Sequence, residues 1–256
     1  MLEIAVTAAL AAGKIQRERF GGKKEIRKKG IVDLVTDVDI ACEERVREIL
    51  LKATPSVPVL GEEEGMKGGR KVSSQWIVDP IDGTTNFAHG IPIFCVSLAL
   101  EEEGEITVGV IYDPLRDELF TAEKGKGACL GGCKMSVTKT AVMEDSLLAT
   151  GFPYDNRTNP KDIFGAFAAV HKSTRGLRRL GSAAIDLAYV AAGRLDGFWE
   201  VNLKPWDVAA GKLLVEEAGG KVTGFHGEKY DHMSGDIVAS NGLIHEELLK
   251  ILARHF

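Results

Sequence analysis

A run of residues from Trp76 to Phe87 combines the residue types and spacing best suited to chemistry. Residues 76–78 are apolar and β-prone, which predicts a short buried strand. We expect that strand to end at Asp79, because Pro80 cannot donate to a ladder. Gly83 and the threonines after it predict a tight turn that opens a helix. Asp79 and Asp82 would then converge from a strand end and a helix start.

Two carboxylates beside the N–H groups of a helix start are suited to binding phosphate through a metal ion. Free N–H groups at a helix start can hold a phosphate. Carboxylates repel phosphate unless hard cations lie between them, and Mg²⁺ takes carboxylates together with substrate oxygens and water. The alternative is that Asp79 and Asp82 are only turn and cap residues.

Other acidic residues occupy similar positions along the chain. Glu62 follows a predicted strand over residues 57–60, and Asp207 opens a predicted helix. Together with Asp79 and Asp82 they would be four separated carboxylates aimed at one place, which opposes folding without cations. We therefore interpret them as metal ligands. The motifs lack His, Cys and Met, which disfavours zinc and copper.

The same segments resemble the inositol monophosphatase family of Mg²⁺-dependent phosphatases. The run Asp79-Pro80-Ile81-Asp82-Gly83-Thr84 matches the family signature. The other matching parts are Asp39, Gly61-Glu62-Glu63, and Trp206-Asp207 followed by Gly219-Gly220. The motifs occur in the family's order and extend over nearly the whole chain, so the resemblance is specific.

The resemblance implies two Mg²⁺ ions per subunit, with a third, weaker ion near Glu62. Glu62, Asp79 and the backbone carbonyl of Ile81 would hold the first ion. Asp79, Asp82 and Asp207 would hold the second, with Asp79 bridging. It also implies lithium sensitivity, because this second site resembles that of lithium-sensitive relatives.

The resemblance further implies catalytic roles. Thr84 and Glu62 would orient a metal-activated water for in-line attack, and the N–H groups of Gly83 and Thr84 would hold phosphate oxygens. Asp39 and Glu63 would be secondary residues near the metal cluster. For Asp39 a simpler role remains open, because Thr36 is the expected N-cap and a carboxylate in the first turn favours the helix dipole.

Substrate selection is expected from the C-terminal half. Ser182 and Ala183 open a predicted helix, although an ordinary cap is an alternative, and Glu200 matches a family position that binds ring hydroxyls. Arg178 and Arg179 precede this turn. One hypothesis is that one of them binds a second phosphate of the substrate. The alternative is that both are surface charges. The residues expected to contact substrate are Asp82, Gly83, Thr84, Ser182, Ala183, Glu200 and Asp207.

Patterning along the chain predicts an α+β protein. Two N-terminal helices precede hairpin-forming strands in residues 1–140, which predicts a mainly antiparallel sheet packed on those helices. Helices alternate with strands in residues 141–256, as in α/β units. With the resemblance, this predicts a layered αβαβα sandwich of two halves that form one compact unit, with the site between them.

Composition limits the function classes. The chain has 256 residues, 45% of them hydrophobic and 27% charged, with a net charge of −5. This charge argues against nucleic-acid binding, and no apolar run is long enough to span a membrane. Glu3 stands where a signal peptide needs basic residues, and we expect Cys42, Cys95, Cys129 and Cys133 to be unpaired thiols. We therefore expect a cytoplasmic enzyme, and by analogy a homodimer.

The predicted function is Mg²⁺-dependent hydrolysis of inositol 1-phosphate and related sugar phosphates. Fructose-1,6-bisphosphatase, possible as a dual activity, nucleotide 3′-phosphatase and histidinol-phosphatase remain alternatives within the family. Outside it, the Asp-Gly-Thr run superficially resembles haloacid-dehalogenase phosphatases, but there the second Asp stands two residues on, not three. A non-enzymatic metal- or phosphate-binding module is the remaining alternative.

Overall fold

The structure, a computed structural model, describes residues 1–22, 26–28, 34–66, 73–153 and 159–256. The helices are α1 (Leu2–Arg19), α2 (Asp37–Ala53), α3 (Thr84–His89), α4 (Ile163–Ser173), α5 (Ala183–Ala191), α6 (Pro205–Glu217) and α7 (His245–Leu252). The strands are β1 (Ile26–Lys28), β2 (Leu34–Thr36), β3 (Val59–Gly61), β4 (Gly65–Met66), β5 (Ser74–Asp82), β6 (Cys95–Glu102), β7 (Glu105–Asp113), β8 (Glu118–Glu123), β9 (Gly127–Leu130), β10 (Cys133–Lys134), β11 (Leu147–Thr150), β12 (Gly176–Arg178), β13 (Gly197–Glu200), β14 (Lys221–Thr223) and β15 (Ile237–Ser240).

Two large sheets alternate with three layers of helices. The larger sheet has the order β10-β9-β8-β7-β6-β5-β3-β4 and is antiparallel except between β3 and β5. The smaller has the order β12-β11-β13-β15-β14 and mixes parallel with antiparallel pairs. Helices α1 and α2 cover the larger sheet, α5 and α6 lie between the sheets, and α4 and α7 cover the smaller one. The predicted α+β fold with αβαβα layers is confirmed.

The central strands β5, β6 and β7 of the larger sheet are buried on both faces, which explains their long apolar runs. Side chains alternate across a strand. In β5, Trp76 and Val78 therefore pack with α1 and α2, whereas Ile77 packs with the cluster around α5 and α6. The strand that leads into the run from Asp79 to Thr84 is thus held from both sides.

The end of β5 differs from its predicted end. The strand continues past Asp79 and Pro80 to Asp82, so the expectation that the sheet stops at Pro80 is wrong. The register against β6 shifts between Asp79 and Asp82, and pairing resumes at Asp82 opposite Cys95. Proline lacks the N–H of a regular ladder, and this irregularity accommodates it.

The two sheets come from separate stretches of the chain, one ending at Lys134 and the other beginning at Leu147. A division into halves 1–140 and 141–256 is compatible with this and stays a prediction. Cys129 and Cys133 flank a hairpin turn at Gly131-Gly132, and all four thiols are free. Across the described ranges, none of the helices combines the length and apolarity needed to cross a membrane.

Candidate active site

Parallel pairing of β3 with β5 brings the first two acidic segments together. Gly61 pairs with Val78, and the Glu62 N–H donates to the Val78 carbonyl over 3.2 Å. Glu62, which follows β3, and Asp79, which lies within β5, are therefore side by side on neighbouring parallel strands. Both side chains line a cavity of about 440 Å³.

Asp82 is fixed by the start of helix α5. Its Oδ2 atom accepts hydrogen bonds from Ser182 Oγ at 2.6 Å and from the Ala184 N–H at 2.7 Å. The next residue, Gly83, has a φ of 97° and caps α3. A Cβ at Gly83 would lie 2.9 Å from the Ile93 carbonyl oxygen, so this turn requires glycine.

Asp207 enters the site from the first turn of α6. Pro205 begins the helix, as its fixed φ favours. Asp207 Oδ2 accepts the Lys204 N–H over 2.7 Å, which closes a capping arrangement and sets the direction of the carboxylate.

The three aspartates converge on one point. Carboxylate oxygens of Asp79, Asp82 and Asp207 all lie within 4.8 Å of one another. Burial raises the pKa of Asp79 well above its usual value, and Glu62, Asp82 and Asp207 add repulsion. Burial also raises the pKa of Asp207 well above its usual value, with Asp82 contributing, and raises the pKa of Asp82. A divalent cation would relieve this repulsion, and a set of hard oxygens fits Mg²⁺.

Asp39 contacts the site through Thr84. Thr84 Oγ1 lies 2.8 Å from Asp39 Oδ1 and 2.9 Å from the Ile81 carbonyl oxygen. Asp39 Oδ2 accepts the N–H of Thr36, which is the N-cap of α2 as predicted. The carboxylate is completely buried. Asp39 therefore closes the cap of α2 and accepts a hydrogen bond from the Thr84 hydroxyl, while its expected place beside a metal cluster stays a prediction.

The predicted substrate residues lie in the same cavity. Ser182, Ala183 and Glu200 line it together with Gly83 and Thr84. Burial raises the pKa of Glu200 to about 8, partly offset by Arg179. A Cβ at residue 151 would collide with the Glu200 carboxylate, so Gly151 is needed for this carboxylate to take its place.

The two arginines before α5 differ in placement. Arg179 lines the cavity and lies against Gly181, where a Cβ would be 2.6 Å from Arg179 Nη1. Arg178, which is exposed like Arg179, does not line the cavity, and its Nη1 donates to the Leu177 carbonyl at 3.1 Å. The sequence pattern did not distinguish these two residues as candidates for binding a second phosphate. Glu63 does not line the described cavity; its backbone N–H donates to Glu43.

Further cavity residues were missed by the sequence analysis. Asp186 lines the cavity from the first turn of α5, and burial followed by repulsion from Glu200 raises its pKa well above the usual value. Its Oδ1 has no hydrogen-bond partner among the described residues. Its spacing of four residues from Ser182, on one helix face, was the available signal. The others missed are Thr85, Phe152, Pro153, Val201, Asn202, Leu203 and Lys204.

The run from residue 65 to residue 74 is Gly-rich and basic, which predicts a linker or a flap over the site. Most of it, residues 67–72, lies outside the described residues.

Comparison with known proteins agrees with this geometry. A model of the inositol monophosphatase family matches residues 1–256. The inositol-1-monophosphatase of Caulobacter vibrioides is 44% identical over 252 residues, which cover 96% of this chain and 98% of that protein. Escherichia coli K12 Nus factor SuhB is 42% identical over 251 residues, with coverage of 97% and 94%.

Among solved structures, the inositol monophosphatase from Anabaena (Nostoc) sp. PCC 7120 superimposes with a TM-score of 0.92. The two sequences are 43% identical, and the match covers 100% of this chain and 96% of that one. Sequence and fold agree over the full length of the chain. It therefore belongs to the inositol monophosphatase family and is a phosphatase.

Proposed function

We propose that this phosphatase hydrolyses inositol 1-phosphate and related sugar phosphates in a Mg²⁺-dependent reaction. One observation carries the proposal. The carboxylates of Asp79, Asp82 and Asp207 converge in a cavity that is also lined by Glu200, a candidate partner for substrate hydroxyls. A phosphate near the aspartates and a polyol near Glu200 would fit together in this space.

The donor set supports two Mg²⁺ ions held as the family resemblance implies. Glu62, Asp79 and the Ile81 carbonyl would bind one, and Asp79, Asp82 and Asp207 the other. When bound, Mg²⁺ neutralises charge on the phosphate and makes water a better nucleophile. The chain itself supplies the placement of these oxygens, which is most of what phosphoryl transfer needs from a protein.

Thr84 and Glu62 are proposed to orient the attacking water. Asp39 accepts the Thr84 hydroxyl hydrogen, which leaves an oxygen lone pair free to accept a hydrogen bond. The N–H groups of Gly83 and Thr84, where α3 begins, are proposed to bind phosphate oxygens. Glu62 follows β3, the strand beside β5, and lines the cavity.

Ser182, Ala183 and Glu200 are proposed to contact the remainder of the substrate. Burial raises the pKa of Glu200 to about 8, which favours a protonated carboxyl group that can both donate and accept a hydrogen bond. This suits a partner that has hydroxyl groups.

The test measures phosphate release from inositol 1-phosphate, fructose 1,6-bisphosphate and adenosine 3′-phosphate, with Mg²⁺ and with a chelator. We expect inositol 1-phosphate to be cleaved efficiently and only with metal. Asp207→Asn should abolish most activity, whereas Asp231→Asn, at an exposed residue, should not. Full activity in the chelator would refute the mechanism. Preference for the nucleotide would refute the substrate assignment.

Lithium inhibition is also proposed, because the second metal site resembles that of lithium-sensitive relatives. A lithium titration with sodium as control would test it, and a flat rate would contradict it. A homodimer and a cytoplasmic location stay predictions, which light scattering and fractionation would check.

A further inference from the structure

A buried ion pair lies against the turn that carries Glu62. Glu43 and Arg47 are one turn apart on α2, and their side chains are 1% and 10% exposed. Arg47 Nε donates to Glu43 Oε1 at 2.9 Å. Burying two charges is costly, and the cost is met only when further hydrogen bonds satisfy both side chains. The partners of this pair therefore indicate what it does.

Glu43 binds the backbone of the turn. Its Oε2 accepts the Glu63 N–H at 2.8 Å, and its Oε1 accepts the Glu64 N–H at 3.1 Å. A Cβ at residue 61 would collide with the Glu43 carboxylate, so Gly61 is what allows this approach. The two amides directly after Glu62 are thus fixed from α2.

Arg47 binds the two ends of the same turn. Its guanidinium donates to the Val59 carbonyl at 3.1 Å and to the Gly65 carbonyl at 3.0 Å. It also lies 3.3 Å from the Glu64 carboxylate. These contacts hold β3 and β4 on either side of the turn.

Glu62 sits at the centre of this arrangement. Its N–H is fixed by the Val78 carbonyl, the following amides by Glu43, and the flanking strands by Arg47. We propose that the Glu43–Arg47 pair is a positioning device for Glu62, which places that carboxylate for the cation beside Asp79. The proposal rests on the proposed function only in taking the cation to be Mg²⁺ held in part by Glu62.

The spacing on α2 supports this role. Asp39, Glu43 and Arg47 are four residues apart and therefore share one helix face. Asp39 holds Thr84, and Glu43 holds the turn of Glu62. One helix would then position both residues proposed to orient the attacking water.

The test is a titration with Mn²⁺, followed by electron paramagnetic resonance, on wild type, Glu43→Gln and Glu62→Gln. Glutamine offers one acceptor oxygen where the turn presents two N–H groups. We expect Glu43→Gln to weaken, by about 10- to 100-fold, the same site that Glu62→Gln weakens. The Mg²⁺ concentration for half-maximal activity should rise in parallel, with the substrate KM at saturating Mg²⁺ unchanged. Glu44→Gln, at an exposed residue of the same helix, is the matched control.

A double variant separates positioning from general stability. If Glu43 acts through Glu62, adding Glu43→Gln to Glu62→Gln should cause no further loss of Mn²⁺ affinity, whereas an independent structural role would add its own effect. Additive losses, or unchanged affinity in folded Glu43→Gln, would overturn the proposal.

Folding is checked by circular dichroism. If Glu43→Gln does not fold, Arg47→Lys decides, because it keeps a cation beside Glu43 but loses the guanidinium fork. A loss of Mn²⁺ affinity in Arg47→Lys relative to wild type supports the proposal, and no loss overturns it. The titration needs no substrate. Failure to hydrolyse inositol 1-phosphate would therefore refute the proposed function without changing this result.

Discussion

Each aspartate of the converging set is held by a backbone N–H group. Asp79 accepts from Ile81, Asp82 from Ala184 and Asp207 from Lys204, at 2.7–2.9 Å. These bonds fix the carboxylates in direction and hold them together despite mutual repulsion. Positions that are strained without a ligand are typical of functional sites.

The repulsion predicts opposite effects of Asp79→Asn on stability and on activity. Asparagine keeps an oxygen to accept the Ile81 N–H but removes one buried charge. Without metal, we expect the free energy of unfolding to rise by about 1–2 kcal/mol, while most activity is lost. Thermal unfolding in a chelator and in Mg²⁺ measures this. Mg²⁺ should raise the Tm of wild type more than it raises the Tm of Asp79→Asn. The control Asp231→Asn should match wild type in stability and in activity. If Asp79→Asn is less stable than wild type in the chelator, the idea is contradicted.

Arg179 is the residue to test for a second phosphate. It lines the cavity, whereas Arg178 does not and donates instead to the Leu177 carbonyl. If fructose 1,6-bisphosphate is a substrate, Arg179→Ala should lower its kcat/KM by about 10-fold or more, as expected for loss of a charge-assisted bond. Inositol 1-phosphate should be affected less. Arg178→Ala is the matched control; equal effects of both variants, or none, would show that the second phosphate is held elsewhere.

At the scale of elements, α6 connects the packing to the site. The helix lies between the larger sheet and α5, and it carries Asp207 in its first turn. Two glycines permit close packing on either side. A Cβ at Gly109 of β7 would be 2.9 Å from the Ala210 carbonyl oxygen, and one at Gly211 would be 2.5 Å from Leu187 Cβ. The site geometry therefore depends on how closely α6 packs.

Gly109→Ala should accordingly affect both stability and metal binding. The added methyl meets backbone, which cannot move aside cheaply, and we expect a loss of about 1–3 kcal/mol in unfolding free energy. Because α6 must shift, Mn²⁺ affinity should also fall. Gly176→Ala is the control, since its nearest contacts would be at 3.6 Å and 3.7 Å. Chemical denaturation and Mn²⁺ titration check this, and a fully stable Gly109→Ala variant would contradict it.

At the scale of the whole molecule, a buried histidine joins the outer helix α7 to the smaller sheet. His245 Nε2 lies 2.9 Å from Thr223 Oγ1 of β14, and Nδ1 lies 2.8 Å from Ser240 Oγ of β15. Burial lowers the pKa of His245 from 6.5 to about 4, with Lys221 adding to the effect and Glu246 opposing it. The neutral form is therefore the one that the fold accommodates.

The sign of the pH dependence follows from that shift. A histidine whose pKa is lower in the folded state stabilises the fold fully above its unfolded pKa of 6.5. The contribution is lost as the pH falls toward 4, and it amounts to roughly 3 kcal/mol. Urea unfolding from pH 7.5 to 4 should show it. His245→Gln should be less stable at pH 7.5 but lose less on acidification, whereas exposed His89→Gln should follow wild type. The same dependence of the unfolding free energy on pH in all three proteins would contradict this.

Features carried by neighbouring residues were predictable from the sequence. The N-cap at Thr36, the Gly83 turn and the hairpin between Cys129 and Cys133 depend on contacts a few residues apart. The chemistry of the run from Asp79 to Thr84 was also predictable, because the residue types within this short segment indicate the ligand that they suit. The incorrectly predicted end of β5 shows the limit of local patterns, because the strand accommodates the proline through a shift in its register against β6.

The sequence by itself determined the layered fold class and the identity of the acidic motifs. The tertiary structure decided which side chains meet. Asp82 is held by Ala184, 102 residues away, and Thr84 by Asp39, 45 residues away. No local pattern singled out Glu43, and none distinguished Arg178 from Arg179; the packing of α2 and the course of the chain into α5 decided both. Local patterns specify the conformation of a segment, whereas contacts between distant segments depend on how whole elements pack.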